Sequence, residues 1–155
     1  MTTVCYGSND PQSKVVVAAE EVCSSLRSIR ASARRGSAPL VRAQVLQRLR
    51  QLGWSSACRI DDQRLSRIGG IKDGVGICVQ TGNVARVYAD LLKLELSFRQ
   101  QQIKSALYVV PTRRLGRVLG QNLAYYERVE QELGLYSSII TVPAILIGFD
   151  LEEGV

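Results

Sequence analysis

The chain of 155 residues carries 20 basic and 14 acidic side chains, which gives a formal charge of +6 at neutral pH. A length in this range suits one domain over residues 1–155, hiding about 68 to 70% of its unfolded surface. With 46% hydrophobic and 22% charged residues, the composition excludes intrinsic disorder, collagen and coiled-coil rods.

No apolar run reaches the roughly 18 residues of a membrane span, and the opening MTTVCYGSND lacks the basic flank and apolar core of a signal sequence, so a cytoplasmic location is expected. Cys5, Cys23, Cys58 and Cys78 form no CxxC pair, and histidine is absent. Nucleophilic catalysis with an imidazole base is excluded, as are the usual zinc sites. The thiols are expected to be reduced and buried rather than a disulfide framework.

Asp10-Pro11 reads as an N-cap with proline in the first helical turn. Val15, Ala19, Val22, Leu26 and Ile29 then recur at spacings of four and three, the apolar face of a first helix whose polar side begins at Glu20 and Glu21. The stretch from Ala31 to Pro39 has the composition of an exposed loop. A second helix is predicted from Leu40 to Leu52, with Val41, Val45, Leu49 and Leu52 inward. Gly53 closes it as a left-handed cap, and Trp54 packs back on it.

From Arg64 to Gln80 the pattern predicts two short strands that turn near Lys72-Asp73-Gly74, because Asp-Gly favours a hairpin. Strand alternation then puts Cys78 and Gln80 on one face. Asn83 is expected to cap a third helix with Val84, Val87, Leu91, Leu94 and Phe98 on its stripe. A strand from Ala106 to Val110 ends at Pro111. Thr112 caps a fourth helix through Leu115, Leu119, Leu123 and Tyr126 to Gly134, and a last strand runs from Val142 to Ile147. Strands alternating with helices imply an α/β fold: a mixed sheet of about four strands flanked by helices on both faces. No GxGxxG or GxxxxGK[ST] stands at a strand-to-helix turn, so a nucleotide-binding fold is disfavoured.

Arginine supplies most of the basic charge. Between Glu21 and Asp61 no acidic residue occurs, while Arg27, Arg30, Arg34, Arg35, Arg42, Arg48, Arg50 and Arg59 do. Guanidinium groups without nearby carboxylates suit a polyanion, since each can grip phosphate in a bidentate fork. Nucleic acid is therefore the expected partner, ahead of an anionic membrane surface; no long basic amphipathic helix with exposed aromatics supports the latter.

The segments IKDGVGICVQTGNVARVYADLLKL, SALYVVP and VPAILIG, the helix around Tyr125-Tyr126-Glu127, and the earlier APLVRAQVLQRLRQLGW together resemble the BglII and BstYI type of restriction endonuclease. These enzymes are relatives of BamHI in the PD-(D/E)XK nuclease superfamily. The resemblance spans about Val15 to Gly148 and implies a restriction-endonuclease-like core, double-stranded DNA as partner and a homodimer. It also implies Mg²⁺ held by an Asp and a Glu beside a Gln. Carried onto this sequence, those catalytic positions fall on Gly69, Cys78 and Gln80. Only the glutamine keeps its chemistry, because Gly69 has no side-chain donor and Cys78 offers a soft sulfur that a hard ion disfavours.

The short span from Trp54 to Gly69 also lacks the longer insert of BstYI-like enzymes, which weakens any base-reading role. The leading expectation is a DNA-binding protein with a degenerate phosphodiesterase site. The first alternative is an active Mg²⁺-dependent endonuclease with a rearranged metal site drawn from Gln80, Glu20, Glu21 and Asp73. The second is a protein-binding regulatory or immunity module. Arg34, Arg35, Arg42 and Lys72 are the expected DNA contacts, and the third and fourth helices are candidate dimer contacts.

Overall fold

The computed structural model describes residues 2–6, 13–60 and 67–151. Its frame is a five-stranded mixed sheet. The two central parallel pairs join β5 (Val75–Val79), β6 (Ser105–Pro111) and β7 (Ala144–Phe149), and each outer strand is antiparallel: β4 (Gly70–Lys72) beside β5, and β1 (Thr2–Tyr6) beside β7. The expectation of about four strands thus gains an edge strand that joins the sheet only through β7, far along the chain. A separate ladder pairs β2 (Cys58–Arg59) with β3 (Arg67–Ile68).

Helices cover both faces of the sheet. On one, α1 (Ser13–Arg27), α2 (Ala38–Gln51) and α4 (Arg113–Leu119) pack on Val75, Ile77, Val79, Leu107, Val109, Ile145 and Ile147. On the other, α3 (Arg86–Arg99) and α5 (Tyr126–Leu135) pack on Cys78, Ala106, Tyr108, Val110, Ala144 and Leu146. Consecutive strand residues therefore divide between two cores, and all of β5, β6 and β7 is buried.

The Asp10-Pro11 cap lies outside the described residues. In α1 the stripe Val15, Ala19, Val22 and Leu26 is buried as its spacing predicts, and Ile29 is buried just past the helix end. Helix α2 starts two residues earlier than expected, with Pro39 in its first turn, where proline's missing N–H leaves no bond unmade. Gly53 has φ +86° and Trp54 donates its N–H to Leu49 O, the expected stop and return.

Asp73 and Gly74 both have positive φ, at 51° and 79°, as a two-residue hairpin with the right-handed strand twist requires. The first arm of that hairpin is not continuous: it bends at Gly69, leaving β3 to pair with β2. A Cβ at Gly69 would lie 2.7 Å from Ile77 O, so only glycine passes there without a backbone shift. The fourth predicted helix is two helices. Between them Leu123 bridges to Asn83, Asn122 has φ 55°, and Ala124 N–H donates to Gly82 O. The chain leaves the helical path there to pair with the loop that follows β5. Helix α3 begins three residues after Asn83, whose Oδ1 accepts from Ala85 N–H.

Among the described residues no helix is long and apolar enough to cross a membrane. Cys23, Cys58 and Cys78 are free thiols. Cys23 and Cys78 are buried as expected, whereas Cys58 is half-buried.

Candidate functional site

Strand β5 ends at Val79, and Gln80 and Thr81 carry the chain off the sheet between α2 and α3. A cleft of about 660 Å³ opens here, lined by Gly69, Cys78 and Gln80 together with Arg42, Arg67, Arg86, Asp90 and Lys93. Strand geometry and the bend at Gly69 thus bring together the three positions singled out by sequence resemblance.

Gln80 is buried and held at both ends. Its Oε1 accepts from Gly82 N–H at 2.8 Å and its Nε2 donates to Asp90 Oδ2 at 2.6 Å. A backbone N–H can only donate, so the first bond fixes which way the amide faces. Asp90 is itself crowded with donors: Tyr108 OH at 3.3 Å on Oδ2, and Lys93 Nζ at 3.5 Å on Oδ1. Burial first, and the Asp90 charge second, hold the Tyr108 phenol well above its ordinary value. Burial, then Asp90, likewise push the Cys78 thiol up to about 12. Cys78 therefore carries almost no thiolate at physiological pH and is a poor nucleophile.

On the other wall Arg42 donates from Nε to Val79 O at 3.3 Å, which stations its guanidinium beside the end of β5. Thr81 Oγ1 donates to Ala38 O and ties the first turn of α2 to the same place. Across that turn lies a second hollow lined by Arg30, Arg34, Arg35, Gly36, Ser37 and Gln44. Arg34 and Arg35 are exposed. The expected contact residues Arg34, Arg35 and Arg42 thus flank one helix end, two in one hollow and one in the cleft.

Lys72 sits elsewhere. Its Nζ donates to Glu21 Oε2 at 2.7 Å and to Leu52 O at 2.6 Å, and Glu21, Lys72 and Asp73 line a separate pocket at the hairpin turn. Glu20 is exposed on α1. None of Glu20, Glu21 and Asp73 lines the cleft that holds Gln80, so the rearranged metal set expected from sequence is not brought together. Asp90, Lys93, Arg86 and Arg67 were not singled out by sequence. Asp90 and Lys93 fall outside the apolar stripe of α3, where polar residues usually meet solvent. Their one signal is that a helix directly following a strand can lean a polar side chain over that strand's end.

The family model for restriction endonuclease BglII/BglIII matches residues 12–149. The chain belongs to that family. The crystal structure of restriction endonuclease BglII complexed with a DNA 16-mer is similar to it with a TM-score of 0.81 at 14% identity, over 97% of this chain and 78% of that one. Free BglII gives a TM-score of 0.64 at 16% identity, over 97% and 79%. No curated protein matches the chain.

Mg²⁺, which the BglII/BglIII family generally uses, wants several hard oxygen donors and a negative surround. The described lining of the cleft does not fit it. Among the described residues no three His, Cys, Asp or Glu side chains group to hold a metal. Gly69 offers nothing, Cys78 offers only a soft sulfur, the Gln80 oxygen is committed to Gly82, and both Asp90 oxygens already accept hydrogen bonds.

Proposed function

We propose that the protein binds double-stranded DNA through the cleft at the end of β5 and the arginines around the α2 N-terminus, with a degenerate phosphodiesterase site that leaves the strand uncut. One observation carries this reading: among the described residues, four cationic side chains, Arg42, Arg67, Arg86 and Lys93, and one carboxylate, Asp90, line the cleft that holds the family's catalytic positions. A phosphate backbone is attracted to such a surround, and cations that neutralise it release counterions and draw affinity from that release. Family membership supports DNA as the polyanion, and so does the relative of like fold crystallised with a DNA 16-mer.

Self-association belongs to the same reading. Helix α3 exposes Tyr88, Leu92 and Leu96 at helical spacing, and the end of α5 and the turn after it expose Leu135 and Ile139. Tyr88 joins the two helices, donating to Glu132 Oε1 and meeting Tyr136 edge-on. An apolar surface of this kind suits a twofold contact with a second copy.

The test is fluorescence anisotropy with a labelled duplex across a salt series, beside incubation of supercoiled plasmid with Mg²⁺ or Mn²⁺. A logarithm of affinity that falls linearly with the logarithm of salt, and plasmid that stays supercoiled, are expected. Nicking lost in Gln80→Ala would establish an active enzyme instead. Absence of duplex binding even at low salt would favour the protein-binding module.

A further inference from the structure

The charge balance of the cleft is the reverse of what a divalent cation requires. Among the described lining residues four cations face one carboxylate, and that carboxylate already has an ammonium 3.5 Å away. A second cation of double charge would enter against that field and would have to strip Asp90 of the Gln80 and Tyr108 hydrogen bonds. An anion faces neither obstacle. Lys93 has three donors and spends one on Asp90, and Arg42 keeps its terminal nitrogens after Nε is spent on Val79 O. Both groups line the same cleft, on opposite sides of the Gln80 strand end, Arg42 from α2 and Lys93 from α3.

We propose that Lys93 and Arg42 receive a phosphate group directly in this cleft, the lysine ammonium standing in for a bridging metal ion, so that binding is independent of divalent cations. This deepens the DNA-binding reading and rests on it for the source of the phosphate. Gln80 then holds Asp90, whose charge the Lys93 ammonium partly offsets. The idle amide of the family site becomes a strut.

The experiment has two arms. With a labelled duplex at matched ionic strength, affinity is expected to be the same in EDTA and in Mg²⁺. Lys93→Ala is expected to lower the slope of log affinity against log salt by about one, and Lys93→Arg to keep it. A gain of about tenfold on adding Mg²⁺, or an unchanged slope in Lys93→Ala, would overturn the proposal. The second arm needs no DNA. Inorganic pyrophosphate added in EDTA should shift the NMR signals of the Gln80 amide and Arg42 Nε in the native protein and not in Lys93→Ala. Mn²⁺ alone should leave the Gln80 signal sharp. Saturable Mn²⁺ broadening there, or no response to pyrophosphate, sinks the anion seat. A pyrophosphate response in a protein that binds no duplex upholds the seat and removes DNA as its source.

Discussion

Gln80 donates from Nε2 to Asp90 Oδ2 at 2.6 Å and so links the end of β5 to the first half of α3 inside a basic cleft. The bond assigns Asp90 a sign that can be measured. If the carboxylate were a metal ligand, removing its charge would weaken binding of a metal-bridged phosphate. Among the described lining residues it is the one carboxylate beside four cations and it repels the backbone, so Asp90→Asn should tighten duplex binding several-fold in EDTA. The same substitution leaves the buried Tyr108 hydroxyl and the Gln80 amide competing for one neutral acceptor. It should cost about 1 to 3 kcal/mol in urea unfolding. Tighter binding with lower stability is the expected pair of results.

The Cys78 thiol gives a second prediction. Raised to about 12 by burial and then by Asp90, it has almost no thiolate at pH 8, and thiolate is the form that reacts with iodoacetamide. Peptide mapping after short alkylation should find Cys58, which is half-buried, modified well before Cys78 and Cys23, which are buried. Denaturant should equalise the three. Early alkylation of Cys78 in the native protein would mean a cleft more open and more cationic at that sulfur than the burial and charges here provide.

These two residues mark how far the sequence was legible. Cys78 on β5 and Gln80 just past its end alternate with buried valine and isoleucine, so strand period alone put them on one face, and the Asp73-Gly74 turn fixed the register that brings Gly69 near them. The stripes of α1, α2 and α3 were read from spacings of three and four. What escaped depends on partners distant in sequence. Strand β1 exists as a strand only against β7. The break between α4 and α5 comes from Leu123 pairing with Asn83, where local periodicity favours an unbroken helix. Asp90 lies off the apolar stripe of an amphipathic helix, and only the crossing of α3 over the end of β5 turns it inward.

The exposed stripe on α3 carries the third prediction. Leu92 and Leu96 are 56% and 44% exposed and lie one helical turn apart. Neither contributes to the packed cores, so replacing both with glutamate should leave folding intact, with surface changes usually within about 0.5 kcal/mol. Charges of like sign brought together across a twofold contact would split a dimer. Sedimentation should therefore show the native protein as a dimer at micromolar concentration and Leu92→Glu/Leu96→Glu as a monomer with the same thermal midpoint. A native protein that sediments as a monomer would detach the stripe from self-association.

Glu95, on the buried side of the same helix, gives the last prediction. Its carboxylate accepts from Thr141 N–H at 2.7 Å, Thr141 Oγ1 at 2.8 Å, Val142 N–H at 2.8 Å and Arg99 Nε at 2.7 Å, which pins α3 to the segment entering β7. Burial works to raise its pKa. The hydrogen bonds from Thr141, Val142 and Arg99 outweigh it, so the folded value lies below the ordinary 4.5. A carboxylate depressed in this way stabilises the fold fully above its unfolded pKa, and that contribution is lost as pH falls through the folded value. Glu95→Gln turns an NH₂ or a single amide oxygen toward several donors, leaving at least one unmet, and should cost about 2 to 3 kcal/mol at neutral pH. The gap between the native and variant urea midpoints should narrow on acidification through the region below pH 4.5. Arg99 is 64% exposed, so its ion pair is screened by water and Arg99→Ala should change stability by less than about 1 kcal/mol. Should the Glu95→Gln deficit persist undiminished in acid, the stabilisation resides in the shape of the side chain and not in its charge.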